Sequence, residues 1–198
     1  MLPRIEIQTT ADGSSTLYRP DMDEHYHSTN GAVTEALHVY IQTGLYALPI
    51  QPISVLEIGF GTGLNAILTW LEAEKNKQHI RYTTVERFPL SNSITQQLNY
   101  QLPAEAATKF EQHADLTTQQ WQETFDVIYF DAFAPDKQPE MWTEEIFKRI
   151  YQKTNPGGVL VTYCAKGVIR RMLQSVGFTT ERLPGPPGKR EMLRATKS

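Results

Sequence analysis

Short apolar runs, bounded by glycine, proline and polar clusters, recur along the chain with helically spaced segments between them. The runs predict strands at about 54–58, 81–86, 109–113, 125–131 and 158–164, with a further pair near 178–183 and 190–195. The intervening segments predict helices at about 63–74, 90–100, 116–121, 142–152 and 166–176. Such alternation implies an α/β, Rossmann-like architecture: a mainly parallel sheet covered on both faces, with an antiparallel C-terminal edge. Ahead of it, residues 5–9 and 16–19 flank Ala11-Asp-Gly-Ser14 and predict a small hairpin. Residues 31–48 carry Val33, Leu37, Ile41, Leu45 and Leu48 near helical spacing. We expect one domain over 1–198, with 1–50 as an N-terminal extension that helps close a cofactor site and 51–198 as the core.

The segment Ser54-Val-Leu-Glu-Ile-Gly-Phe-Gly-Thr-Gly63 runs from an apolar strand into three alternating glycines, and Leu64 then opens a helix. Gly59, Gly61 and Gly63 remove side chains that would keep backbone N–H groups from a ligand, and the helix start adds partial positive charge. A dinucleotide fingerprint needs a glycine three residues after the second one, where this chain has Leu64. Glu57 precedes the turn, where a carboxylate would repel pyrophosphate; it is placed either to face a cationic ligand or to hold the loop through backbone N–H groups. The E-I-G-x-G-x-G form resembles the first motif of S-adenosylmethionine-dependent methyltransferases, whose cofactor carries a sulfonium and an amino group but no phosphate.

Acids at later strand ends extend this reading. Arg81-Tyr-Thr-Thr-Val-Glu86 ends in a carboxylate suited to accept from two ribose hydroxyls, the alternative being a solvated strand-end charge. Asp115 stands either beside an adenine amine or as a helix N-cap. In Phe125-Asp-Val-Ile-Tyr-Phe-Asp131, a buried strand carries Asp131 to the carboxyl edge with Phe133 beside it. A carboxylate there can orient an amine nucleophile and accept its proton, so Asp131 is the candidate catalytic residue; an Asx-type loop cap is the structural alternative.

Composition narrows the setting. The single cysteine, Cys164, excludes an intramolecular disulfide framework, and the five histidines have no partner ligands at a metal-site spacing, so no metal is expected. No apolar run approaches the ~18 residues that a membrane span needs, and Met1-Leu-Pro-Arg-Ile-Glu lacks an apolar signal core. A cytoplasmic protein without a membrane partner is expected. A net charge of −3 leaves any RNA contact to a local patch.

Four strings share one resemblance: Glu57-Ile-Gly-Phe-Gly-Thr-Gly-Leu-Asn65, Asp131-Ala-Phe-Ala-Pro-Asp-Lys-Gln-Pro-Glu-Met-Trp142, Asn155-Pro-Gly-Gly158 and Gly188-Lys-Arg-Glu-Met192. With Tyr26-His-Ser-Thr-Asn-Gly31 and Glu35, they resemble the methyltransferases that complete 5-methylaminomethyl-2-thiouridine at the tRNA wobble position, over nearly the whole chain. The resemblance implies a class I S-adenosylmethionine-dependent methyltransferase fold and methylation of 5-aminomethyl-2-thiouridine in tRNA. It also implies a separate enzyme that supplies the aminomethyl intermediate, since in that family the domain is free-standing or fused to a flavin-dependent oxidase. Carried onto this chain, it has Gly59, Gly61, Gly63 and Leu64 shape the cofactor pocket, Glu86 hold the ribose and Asp115 the adenine end. Tyr26, Asn30 and Glu35 would close over the methionine part, while Asp131 and Phe133 line the target base. A flipped base needs an aromatic slot, and Trp142 either stacks there or belongs to the core.

Lys189 and Arg190 follow the stiff Pro184-Gly-Pro-Pro-Gly188 connector and are expected to meet tRNA phosphates. Lys166, Arg170 and Arg171 either join them or form a solvated helix face. Two other functions use the same elements: an aminopropyltransferase acting on free polyamines, and a non-catalytic RNA-binding module.

Overall fold

The computed structural model describes residues 4–49, 53–107, 110–113, 115–116 and 121–198. The chain opens with a small antiparallel sheet of β1 (Glu6–Thr9), β2 (Ser15–Arg19) and β3 (Glu24–His25), one strand more than the expected hairpin. Asp12 organises its tip. The Asp12 carboxylate accepts from the Ser14 amide at 3.0 Å and from the Thr34 amide and hydroxyl at 2.8 Å each, tying the turn to the start of α1 (Ala32–Ala36).

The helical segment foreseen at 31–48 is broken into three. After α1 comes a wider π-helical turn, Leu37–Gln42, where the Thr43 amide reaches back five residues to the His38 carbonyl, and then a 3-10 turn, Leu45–Ala47. Its buried stripe is Ala32, Glu35, Ala36, Val39, Tyr40 and Ile41, beside the Val33/Leu37 row that the spacing favoured. Tyr40 and Glu35 consequently face inward.

The large sheet follows. β4 (Ile53–Ile58) leads into α2 (Leu64–Asn76), then β5 (Ile80–Val85), the short α3 (Asn92–Thr95) and α4 (Ala104–Ala107), β6 (Phe110–His113) and β7 (Phe125–Phe130). A 3-10 turn at Pro139–Met141 precedes α5 (Glu144–Lys153), β8 (Thr154–Thr162), α6 (Gly167–Ser175), β9 (Thr179–Pro184) and β10 (Glu191–Thr196). The sheet order is β6-β5-β4-β7-β8-β10-β9, parallel from β6 to β8 and antiparallel at β10 and β9, as the alternation implied. Where a helix was expected at 90–100, only Asn92–Thr95 is helical, because that stretch buries little beyond Leu98. The helix expected at 116–121 falls mostly outside the described residues.

Every residue of β4 is buried, which explains a strand with no polar face except Ser54 and Glu57. Helix α5 forms for local reasons: the Thr143 hydroxyl accepts from the Ile146 amide, Glu144 and Glu145 sit in the first turn, and Ile146, Phe147 and Ile150 make the inward stripe. One core lies between the sheet and α5/α6; the other lies beneath α1, the π turn and α2 and contains Tyr40, Tyr82 and Tyr129. The strand order reverses between β4 and β7, and a ligand crevice is expected at the carboxyl ends there.

Candidate active site

A cavity of about 480 Å³ opens at that edge, within the range of small-molecule sites. Its walls are Glu24, His25 and Tyr26 of the small sheet, Gly59 to Gly61 of the glycine turn, Glu86 to Phe88 after β5, Ala132 and Phe133 after β7, and Tyr163 with Lys189. The glycine turn needs its glycines. Gly59 and Gly61 have φ of 90° and 50°; a Cβ on Gly59 would lie 2.5 Å from the Asp131 carbonyl oxygen, and one on Gly61 3.1 Å from the Tyr26 ring. Gly63, at φ 79°, caps α2 instead of lining the cavity, and Leu64 behind it is buried in the core.

Glu86 stands just past the end of β5 and is held by main chain: its carboxylate accepts from the Gly61 amide at 3.0 Å and the Phe88 amide at 2.8 Å. It lines the cavity, as does Asp115. Asp131 is held differently. Tyr40 donates to one carboxylate oxygen at 2.5 Å and Asn65 Nδ2 to the other at 2.8 Å, while its amide continues the ladder to the Ile58 carbonyl. Burial pushes the Asp131 pKa up to about 6, against the lowering effect of those two hydrogen bonds. The group is therefore an anion at neutral pH with a base strength well above that of an ordinary carboxylate.

Opposite it, Tyr26 and Phe133 meet edge to face with ring centroids 5.0 Å apart, an aromatic wall beside the acid. Glu35 accepts from the Ser28 amide at 2.8 Å and pairs with Lys189 Nζ at 2.6 Å, and that ammonium also lies 4.0 Å from the Tyr163 ring centroid. Lys189, of which a phosphate contact was expected, thus lines the cavity and is tied to the N-terminal segment. Arg190 is exposed, outside the cavity. Half-buried His27 bonds the Thr62 hydroxyl at 2.7 Å, and desolvation lowers its pKa to about 4, so a neutral imidazole joins the N-terminal segment to the glycine turn.

Trp142 takes the core alternative, and Glu57 takes neither of its two. Trp142 is 4% exposed and packs against Phe130 and Phe147; its indole donates to the Phe133 carbonyl at 2.7 Å. It braces the loop that carries Phe133 and offers no face for stacking. Glu57 is fully buried behind the cavity, and neither of the two roles expected of it is open: it does not line the space where a cation would sit, nor does it bond the loop amides. Asn30 lies outside the cavity too, packed over Gly188.

A family model for S-adenosyl-L-methionine-dependent methyltransferases matches residues 75–198. The chain belongs to that family. Similar curated proteins include the tRNA 5-methylaminomethyl-2-thiouridine biosynthesis bifunctional protein MnmC of Cupriavidus metallidurans, 29% identical and covering 89% of this chain and 32% of that protein. The MnmC of Idiomarina loihiensis is 31% identical, covering 86% of this chain and 35% of its own length. The methyltransferase spans about a third of the length of these relatives. Among solved structures, MNMC2 from Aquifex aeolicus matches with a TM-score of 0.81 at 24% identity, covering 98% of this chain and 70% of that one. Spermidine synthase from Thermotoga maritima matches at 0.62 and 15% identity, covering 98% and 73%. At these identities the structural matches speak for the fold, a class I methyltransferase fold with a mostly parallel sheet and an antiparallel edge.

S-adenosylmethionine is the cofactor of this family, and the cavity fits it: a turn with no Cβ to obstruct the ligand and a carboxylate at the end of β5. Sequence reasoning passed over Tyr40 and Asn65 as individual residues. Asn65 was visible as part of the glycine motif; Tyr40 carried no local signal, because only the π turn aims it at Asp131.

Proposed function

We propose that this methyltransferase methylates the primary amine of 5-aminomethyl-2-thiouridine at the tRNA wobble position, giving 5-methylaminomethyl-2-thiouridine. The observation that carries the reading is Asp131: a carboxylate of raised pKa, fixed from behind by Tyr40 and Asn65, beside the Tyr26/Phe133 wall and one residue layer from the glycine turn. The MnmC relatives are named for biosynthesis of 5-methylaminomethyl-2-thiouridine in tRNA, the product this reading assigns.

Bound in the cavity, the cofactor would supply an electrophilic methyl group on its sulfonium. Glu86 would hold the ribose hydroxyls, Asp115 the adenine end, and Tyr26 with Glu35 would cover the methionine part. The aromatic wall takes the flipped base and Asp131 orients the amine, accepting the proton that the nitrogen must lose as the new N–C bond forms. Residues 1–50 act as an extension of a single catalytic domain and close the site. The partners are tRNA and a separate enzyme that exposes the aminomethyl group, and the work is done in the cytoplasm.

Incubation with S-adenosylmethionine and tRNA bearing the aminomethyl group, followed by mass analysis of the nucleosides, tests this: one added methyl on the wobble uridine is expected. Methyl transfer only to another nucleoside would overturn it. The spermidine synthase likeness concerns the fold, and an absence of activity on free polyamines is expected.

A further inference from the structure

Glu57 and Asp131 come from adjacent parallel strands, yet only Asp131 reaches the cavity. Glu57 is opposite Thr84 of β5 and Tyr129 of β7 in the strand register, beneath α2. Its carboxyl oxygens make no hydrogen bond of regular geometry, although polar groups of Tyr82, Asn65 and Thr84 stand around it. The strongest charge acting on it is Asp131, of the same sign. An ionised carboxylate in that position would lack water and counter-charge and would repel its neighbour; the neutral acid avoids both penalties. Burial first, then that repulsion, raises its pKa well above the ordinary range, against the lowering effect of the Tyr82, Asn65 and Thr84 polar groups.

A neutral acid has an O–H to donate. Asn65 has the matching need: Nδ2 donates to Asp131 at 2.8 Å, while its buried Oδ1 has no hydrogen-bond partner. With a donor on one side and an anion on the other, the amide has a single satisfactory orientation.

We propose that Glu57 is a positioning residue: as a neutral acid it donates to the Asn65 amide oxygen, so that the amide nitrogen is held on Asp131 and the carboxylate stays aimed into the cavity. Tyr40 of the π turn fixes the second oxygen. Glu35 of α1, Lys189 ahead of β10 and Tyr163 just after β8 also act electrostatically on Asp131. The inference rests on Asp131 being the base, and it assigns the acid of the glycine-turn motif to the reacting carboxylate instead of to the ligand.

The test compares Glu57→Gln, which keeps a donor, with Glu57→Leu, which does not. Infrared difference spectra of the parent against Glu57→Gln at pH 8 should show the carbonyl stretch of a protonated carboxyl group. Single-turnover methylation at saturating cofactor should fall less than about fivefold in Glu57→Gln and about 10- to 100-fold in Glu57→Leu, the scale for removing a group that orients a functional side chain. The acid limb of the rate profile should move only in the leucine variant, and calorimetric cofactor affinity should stay within about threefold in both. No protonated band, equal rates for the two variants, or a tenfold affinity loss in Glu57→Gln would overturn the proposal, the last by placing an ionised Glu57 on the cofactor. If Glu57→Leu does not fold, the infrared band and the glutamine variant still decide. A full rate in Asp131→Asn would remove the base reading, while the infrared result would stand apart from it.

Discussion

Glu86 and Asp131 both stand just beyond parallel strands at the same edge of one sheet, and both line the same cavity. Their surroundings diverge. Glu86 is half-buried and bonded to the Gly61 and Phe88 main-chain amides, which leaves lone pairs of its carboxylate for hydroxyl groups. Asp131 is half-buried as well, but it is bonded to the Tyr40 and Asn65 side chains, and desolvation by the chain around it raises its proton affinity. Position on the sheet brings both acids to the cavity. What packs behind each one separates the proposed binding group from the proposed base.

The largest expected effect breaks the comparison at the base. Asp131→Asn keeps the shape but removes the proton acceptor, so the single-turnover rate should fall by roughly 10²–10⁴-fold with cofactor affinity little changed. Only the ionised form accepts a proton, so the parent rate should decline as pH falls through about 6, and that limb should be absent from the residual rate of the variant. A variant that follows the parent at every pH from about 6 to 10 would strip Asp131 of this role.

The glycine turn sharpens the contrast, because its two cavity glycines lean toward different acids. A Cβ on Gly59 meets main chain at Asp131, whereas a Cβ on Gly61 meets the Tyr26 ring, which can shift. Gly59→Ala should therefore cost about 3 kcal/mol of stability and lower the rate, while Gly61→Ala should cost about 1 kcal/mol and mainly weaken cofactor binding. Denaturant melts and calorimetry would show it; equal costs would mean that β7 yields as readily as a side chain.

Glu86→Ala probes the binding acid. Losing charge-assisted hydrogen bonds to two hydroxyls should weaken cofactor affinity by about 1–3 kcal/mol, with the rate at saturation nearly kept. Unchanged affinity by calorimetry would take Glu86 out of the site.

The smallest effect concerns two adjacent cations. Arg190→Ala should flatten the salt dependence of tRNA binding by about one phosphate contact. Lys189→Ala, which frees Glu35 on the inner wall, should leave that slope alone and alter cofactor affinity or rate instead. Identical salt slopes for both variants would put RNA elsewhere on the surface.

Local chemistry alone determined much of this protein. The alternating pattern set the parallel sheet and its antiparallel edge, because a strand buried on both faces must be apolar throughout and the helices between must show a stripe. The placement of Gly59, Gly61, Glu86 and Asp131 at the cavity was legible for a related reason: strand-end and turn positions are fixed by the backbone, so sequence position nearly equals spatial position. Tertiary structure decided the rest. Tyr40 reaches Asp131 across 91 positions through a π turn that no periodicity announces. Lys189 meets Glu35 across 154 positions and so becomes part of the inner wall. Trp142 and Glu57 sit in motifs whose neighbours touch the cavity, yet both are buried behind it. Whether a carboxyl group is a ligand contact, a base or a neutral acid depends on which groups from distant segments exclude water from it, and only the folded chain brings those segments together.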